Sequence, residues 1–166
     1  MTASPPTTKN PMRLDMARAY VESLLENFLG QQKVEPDADG DYPLRFRSAA
    51  YYVRVVDAER PVVQVFSIAL GEVEATPELL EELNVVNTDV RFARIFHVRD
   101  QVLVETDILA EALDPAGFEN ACRCVASITD NIAAGLHQRH GGRLMFQDQA
   151  ATEVNQAEAT PSGGYL

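Results

Sequence analysis

Apolar residues recur every three or four positions in three segments of the chain, and this spacing predicts three amphipathic helices. Two of them begin at a capping residue followed by proline, Thr76-Pro77 and Asp114-Pro115, which is a typical helix start. The first ends at Gly30, a residue type that commonly closes a helix. The predicted helices cover residues 13–29, 77–87 and 115–139.

Alternating or continuously apolar runs between these helices predict five strands. The predicted strands cover residues 42–47, 51–56, 62–70, 90–98 and 101–109. Most of them are joined by short turns, which cannot make the crossover that parallel strands require. The order α-β-β-β-α-β-β-α therefore predicts an α+β domain, in which two long helices pack on one face of an antiparallel five-stranded sheet.

Both ends of the chain differ in composition from the segment between them. Residues 1–11 are rich in proline, serine and threonine, and residues 143–166 are rich in alanine, glutamine and threonine. Too few apolar side chains are present in either end to offset the entropy lost on ordering. We therefore expect flexible termini around a single domain at residues 12–142, which is an ordinary domain size.

The chain is strongly acidic, with 25 Asp and Glu against 14 Lys and Arg and a formal net charge of -11. This charge repels phosphate backbones and anionic lipid surfaces, so we expect neither a nucleic-acid nor a membrane partner. Cys122 and Cys124 lie two positions apart in a predicted helix, on different faces, and form no disulfide framework. This favours a reducing compartment, the cytoplasm.

Two groups of residues have a partial metal-site pattern. Asp37, Asp39 and Asp41 alternate as in the first half of a calcium loop, but tyrosine and serine stand where the turn glycine and the bidentate glutamate belong. His137 and His140 could share a helix face, yet zinc needs three or four ligands. A solvated loop and a favourable helix end explain these residues better, and we expect no metal or cofactor.

An enzyme hypothesis rests on His97 together with Glu105 or Asp107. It requires these side chains to meet in one cleft. Carboxylates on an exposed strand face are ordinarily only solvated, and no phosphate-binding glycine loop opens a helix. We therefore expect that the protein is not an enzyme.

The predicted sheet has a second face whose composition is mixed. Leu44 and Phe46 are expected to face the long helices, and the short helix is expected to cover part of the opposite face. That opposite face carries arginines beside apolar and aromatic residues, which is too apolar for a free surface and too charged for a core. We predict a peptide or partner contact there, at Tyr52, Arg54, Val56, Arg45 and Arg47.

The strand arginines also support an alternative function. Arg45, Arg47, Arg54 and Arg94 could line a pocket for an anion, in a small-ligand sensing or regulatory domain.

One stretch of sequence, together with the order of the elements, resembles a known family. The stretch reads Leu83-Asn84-x-x-Asn87, then Phe92-x-Arg94, then Asp100-x-Val102-x-Val104-Glu105-x-Asp107-Ile108-Leu109. It resembles the YbjN-like family, which is grouped with the bacterial type III secretion chaperones as peptide-binding chaperones. The resemblance covers roughly residues 13–140.

The resemblance implies a cytoplasmic, non-enzymatic, chaperone-like or scaffold protein with no catalytic residues. It implies a homodimer that holds an extended peptide from an unknown client against apolar patches. In such chaperones the helix between the third and fourth strands commonly forms the dimer interface. In this chain the corresponding apolar residues are Leu79, Leu80, Leu83 and Val86.

Overall fold

A computed structural model describes residues 11–47 and 49–145 of the chain. The expectations about flexible ends fall almost wholly outside these residues. The elements follow the predicted order. In chain order they are α1 (Pro11–Leu29), β1 (Tyr42–Phe46), β2 (Ala49–Val56), β3 (Val62–Leu70), α2 (Pro77–Asp89), β4 (Arg94–Val98), β5 (Gln101–Leu109), a short 3₁₀ turn (Ala110–Ala112) and α3 (Pro115–His140).

Both predicted capping residues act as caps. The Thr76 hydroxyl accepts a hydrogen bond from the Leu79 N–H at 3.2 Å, and the Asp114 carboxylate accepts one from the Gly117 N–H at 2.6 Å. Each bond satisfies a backbone donor that the first helical turn leaves free. The starts of α2 and α3 therefore follow directly from local sequence.

The fourth strand is shorter than predicted. It begins at Arg94 and not at residue 90, because α2 continues to Asp89 and Phe92 has a left-handed φ of 63°. That conformation breaks the extended backbone which a strand requires. The apolar residues before Arg94 therefore belong to the connection.

The five strands form one antiparallel sheet in the order β1-β2-β3-β5-β4. Side chains alternate between the two faces of a sheet, so this register assigns every strand residue to a face. The inner face packs against α1 and α3, and its side chains join one hydrophobic core. Leu44 is buried and Phe46 is half-buried on this face, as predicted.

The short helix α2 lies elsewhere than expected. It was predicted to cover part of the opposite sheet face, but it packs at the edge of the sheet against β4. Leu79 and Leu83 join the core there, and the Asn87 side chain bonds to the Ile95 backbone. The second face of the sheet is therefore left without this helix.

The segment after α3 returns to the sheet. Arg143 and Gly71 exchange two backbone hydrogen bonds, and Leu144 packs against the core. The predicted end of the domain at residue 142 thus precedes this contact. None of the helices in the described residues is long and apolar enough to cross a membrane.

Candidate partner-binding face of the sheet

The strand side chains that alternate with the core residues form a second surface, which we call the outer face. The register arranges its central part into four rows that run across the strands. In order along the strands these are the first apolar row (Ile68, Leu103, Phe96), the aromatic–acidic row (Tyr52, Phe66, Glu105, Arg94), the polar row (Arg54, Gln64, Asp107) and the second apolar row (Val56, Val62, Leu109).

The apolar members of the outer face are only half-buried. This holds for every residue of the two apolar rows and for Tyr52 and Phe66. The inner-face neighbours Val63 and Val65 are fully buried by comparison. The difference arises because α1 and α3 both pack on the inner side, so the outer apolar rows keep part of their area in contact with water.

An aromatic platform lies near the middle of the outer face. The rings of Tyr52 and Phe66 stack with centroids 5.2 Å apart and planes inclined by 21°. The Arg54 guanidinium lies 4.8 Å from the centroid of the Phe66 ring on its face. Burial, followed by the nearby carboxylates of Asp37 and Asp41, raises the pKa of the Tyr52 hydroxyl.

Two ion-pair groups flank this platform. On one side Arg54 forms a bidentate ion pair with Asp41, which raises the pKa of the arginine above its ordinary value. On the other side Arg94 Nε donates to Glu105 at 2.7 Å, and its Nη2 donates to Asp107 at 2.9 Å. The second group contains two carboxylates and one guanidinium, so it has one negative charge in excess.

Gln64 completes the second group. Its amide donates to Asp107 at 3.1 Å and, at a longer 3.4 Å, to Glu105. Glu105 is buried, with 8% of its side chain exposed, whereas 38% of the Asp107 side chain is exposed. The excess negative charge is therefore accessible mainly at Asp107.

Four of the five residues predicted for a partner contact lie on this face, and the contact itself stays a prediction. Tyr52, Arg54, Val56 and Arg45 have outer-face positions in the register. Arg47 does not, and its assignment is corrected. It lies in the turn after β1, with a φ of 52°, and its guanidinium approaches Asp130 of α3 at 3.8 Å on the helix side.

The sequence predicts that half of the residues of β3 lie on the second face, but it does not identify the outer-face residues of β4 and β5. Residues on both sides of β3 are mostly apolar, which indicates a half-buried second face. This pattern does not show which residues of the other strands lie beside them. Only the strand order brings Phe66 and Ile68 beside Leu103 and Phe96.

The arginines of the anion-binding alternative do not converge. Arg54 is neutralised by Asp41, and Arg94 is neutralised by Glu105 and Asp107. Arg47 lies on the other side of the sheet, and Arg45 lies on the outer face of the edge strand β1, opposite Ala50 and four residues along β2 from Arg54. A pocket for an anion would need guanidinium groups that remain free to pair with it, so the geometry does not favour this alternative.

The residues of the enzyme hypothesis are separated by the sheet. His97 pairs in register with Val102 on the inner side, and its Nε2 lies 2.8 Å from the Val73 carbonyl oxygen. Glu105 and Asp107 occupy the outer face. The imidazole cannot meet either carboxylate in one cleft.

The candidate metal ligands have other partners. The Asp37 carboxylate accepts hydrogen bonds from the backbone of Asp39 and Asp41 at 3.0 and 2.9 Å, which closes the loop before β1. His140 bonds to Glu82 at 2.7 Å. Across the described ranges, no three or more histidine, cysteine or acidic side chains are grouped closely enough to hold a metal ion.

The two cysteines are free thiols in different surroundings. Cys122 is fully buried, and burial raises the pKa of its thiol to about 12. Cys124 is half-buried and donates a weak hydrogen bond to the Arg91 carbonyl oxygen at 3.4 Å. Burial also raises its thiol pKa, so neither cysteine is an activated nucleophile.

The four residues predicted for a dimer interface do not share one environment. Leu79 and Leu83 are 0% and 3% exposed, so they hold α2 on its own chain and cannot touch a partner directly. Leu80 is 42% exposed, and Val86 is half-buried. Leu79 and Leu83 are therefore corrected to core residues, while an interface on the exposed side of α2 stays a prediction.

A second concave surface lies at the opposite edge of the sheet. A groove of about 360 Å³ separates the end of α1 from β1 and is lined by Leu25, Leu29, Val34 and Tyr42 among others. The hydroxyl of the lining residue Tyr42 donates to Glu22 of α1 at 2.7 Å. Burial, and then Glu22, raises the pKa of this tyrosine.

The family assignment rests on residues 15–148. This part of the chain matches the family described as type III secretion system (YopN, CesT) and YbjN peptide-binding chaperone 1. The chain belongs to this family of peptide-binding chaperones, and the resemblance drawn from the sequence is confirmed.

Solved structures show the same fold at low sequence identity. A chain of the ExsC–ExsE complex aligns with a TM-score of 0.56 and 16% identity, covering 70% of this chain and 93% of that one. A chain of the HopA1–SchA chaperone–effector complex aligns at 0.55 and 14%, covering 72% and 98%. YbjN from E. coli aligns at 0.52 and 13%, covering 71% and 92%. The predicted α+β fold is thus confirmed.

No curated protein matches the chain by sequence.

Proposed function

We propose that this protein is a non-enzymatic chaperone or scaffold that binds an extended segment of another polypeptide on its outer face. The observation that carries the proposal is the outer face, where two apolar rows and a stacked aromatic pair are only half-buried and no helix of the described residues packs over them. Contiguous apolar surfaces on a chain with a net charge of -11 are typical of interaction sites. Membership of a peptide-binding chaperone family supports the same function.

The shape of the outer face suits an extended segment. Along any strand, residues on one face are spaced about 6.8 Å apart, which equals the spacing of every second side chain in an extended peptide. A peptide that lies along β3 and β5 can therefore place one side chain on each row. Its backbone stays on top of the sheet, so binding requires no free sheet edge.

A labelled peptide with alternating valine and serine tests this proposal by fluorescence anisotropy. We expect Leu103→Ser, in the first apolar row, to weaken binding about tenfold, because a buried leucine contact contributes about 1.5 kcal/mol or more. The matched control is Leu80→Ser, which removes an exposed leucine from α2. Equal affinities for wild type and Leu103→Ser, or a loss with Leu80→Ser alone, would contradict the proposal.

We also propose that the protein is a homodimer that uses the exposed side of α2. On this helix Leu80 and Val85 are 42% and 59% exposed, at directions about 140° apart around the axis, and Val86 is half-buried. Light scattering of Leu80→Arg tests this interface, because the arginine leaves the core intact. A wild-type dimer that becomes a folded monomer supports it, whereas a wild-type monomer or an unchanged dimer contradicts it.

The cytoplasm is the proposed location. Cys122 and Cys124 are both free thiols, and reducing compartments maintain that state.

A further inference from the structure

The charge on the outer face is unevenly distributed between its two ion-pair groups. Arg54 and Asp41 balance each other, whereas Glu105 and Asp107 share Arg94 and leave one negative charge in excess. The loop carboxylates Asp37 and Asp39 add negative charge near Arg54. A segment that lies along β3 and β5 meets its unbalanced carboxylate at Asp107. This asymmetry bears on which segments the face can select.

Asp107 is the accessible member of the acidic pair. Its Oδ1 and Oδ2 atoms each accept one hydrogen bond, from Gln64 and Arg94, and 38% of its side chain is exposed. A carboxylate offers about four acceptor positions, so further donors can still approach it. Arg54 lies two strands away in the same row, about 10 Å by strand spacing, and is itself neutralised.

The four rows of the outer face determine which side chains of a bound extended peptide face apolar residues and which one faces Asp107. Ile68 and Val62 on β3 are six residues apart, with Phe66 and Gln64 between them on the same face. The outer face thus presents, in order, an apolar row, an aromatic–acidic row, a polar row with Asp107, and a second apolar row. An extended peptide in contact with all four uses side chains i, i+2, i+4 and i+6.

We infer that the segment bound by this face is cationic, with a lysine or arginine at the position that faces Asp107 and apolar side chains at i and i+6. The inference rests on the proposed function and names the chemistry of its partner. Attraction between a basic side chain of the peptide and the Asp107 carboxylate favours this register, whereas an acidic side chain at the same position would be repelled by Asp107. The net charge of -11 acts in the same direction over a longer range, by attracting basic segments.

Four labelled nonapeptides test the inference by fluorescence anisotropy against the full chain. Each has leucine at positions 2 and 8, valine at position 4 and threonine elsewhere. Position 6 is lysine, glutamine or glutamate in three of them, and in the fourth the lysine is moved to position 5, where it points away from the sheet. We expect the lysine peptide to bind about tenfold more tightly than the glutamate peptide, and the shifted peptide to match the glutamine peptide.

A charge-matched pair of variants assigns the effect to Asp107. Asp107→Asn keeps an acceptor for Arg94 or Gln64 but removes the charge, and we expect it to weaken the lysine peptide about fivefold while leaving the glutamine peptide unchanged. Glu81→Gln removes one charge from the exposed side of α2 and serves as the control. Equal losses for both peptides with Asp107→Asn would mean a structural role and overturn the inference.

The remaining outcomes separate this inference from the proposed function. Binding of all four peptides with equal affinity overturns the inference alone. Absence of binding by every peptide contradicts the proposed function and removes the inference with it. A second copy of the chain as the occupant would appear in light scattering as a dimer that Leu103→Arg converts to a monomer, and this also overturns the inference.

Discussion

At the scale of single residues, the Asn87 side chain forms the hydrogen bonds that a neighbouring strand would otherwise form with Ile95. β4 is an edge strand, and the Asn87 amide donates to the Ile95 carbonyl at 2.7 Å and accepts from the Ile95 N–H at 2.9 Å. These two bonds satisfy backbone groups that would otherwise face a neighbour at the sheet edge. The asparagine pair in the family-like sequence pattern thus has one member with a defined structural role.

Replacing Asn87 tests that role. Asn87→Ala removes both bonds and leaves the Ile95 backbone groups without their partner, which we expect to cost about 1–3 kcal/mol in the free energy of unfolding. Asn84→Ala, on the exposed side of α2, is the control and should change stability by no more than about 0.5 kcal/mol. Urea unfolding measures both, and equal effects would contradict a specific role for Asn87.

Thr129 is the opposite case, because removing its polar side-chain atom should increase the stability of the fold. Its hydroxyl is buried in α3 and has no hydrogen-bond partner within the described part of the chain. Thr129→Val keeps the shape and removes the cost of an unsatisfied buried group, so we expect a gain of about 1 kcal/mol in thermal or urea unfolding. A loss of similar size would show that the hydroxyl has a partner.

Residue identities were predictable where local chemistry decides them. Thr76 and Asp114 were recognisable as caps because a cap depends on its own helix alone. Asn87 and Arg47 were not, because their partners Ile95 and Asp130 are distant in sequence or on another element. Tyr52, Arg54 and Val56 were expected on one sheet face and lie there, whereas their neighbours on β4 and β5 depend on the strand order.

At the scale of elements, one acidic residue joins α2 to the end of α3. Glu82 bonds to Arg139 through Nε at 3.0 Å and to His140 at 2.7 Å. The Arg139 guanidinium, with a smaller contribution from His140, lowers the pKa of Glu82 below its ordinary value. A lowered folded-state pKa stabilises the fold above the unfolded pKa, and that contribution disappears as the pH falls through the folded value.

The lowered pKa of Glu82 predicts how the stability of the Glu82→Gln variant depends on pH. At pH 7 we expect the variant to be less stable than wild type by about 1 kcal/mol. The difference should shrink as the pH falls below about 4.5, where the carboxyl of the unfolded chain takes up a proton, and disappear as the pH passes through the lower pKa of the folded protein. Urea unfolding at several pH values measures it, with Glu81→Gln as the exposed control; a difference that does not depend on pH would contradict the ion-pair account.

The placement of α2 marks the limit of sequence-based reasoning about elements. Its apolar positions predicted which side of the helix is buried, and Leu79 and Leu83 are indeed buried. These positions did not predict which element the helix packs against, because the periodicity shows which side of a helix is apolar but not what covers that side. The same apolar positions were assigned to a dimer interface, whereas two of them are part of the core.

At the scale of the whole molecule, the fold combines an acidic surface with an outer face that is largely apolar. The chain has a net charge of -11, yet the central outer face contains charges that are mostly paired with each other. The net negative charge of the rest of the chain favours solubility of a molecule that carries such an apolar surface. Composition indicated this acidity, but only the strand order shows that the charged pairs and the apolar rows share one surface.

Methyl NMR spectroscopy tests the central claim most directly, because the outer face carries its own probes. Ile68, Leu103, Val62 and Leu109 report on this face, Leu80 reports on α2, and a further set reports on the groove beside α1. That further set consists of Leu25, Leu29 and Val34. On addition of the lysine peptide, we predict shifts concentrated in the outer-face methyl groups. Shifts confined to α2 or to the groove, with the outer-face signals unchanged, would contradict the claim.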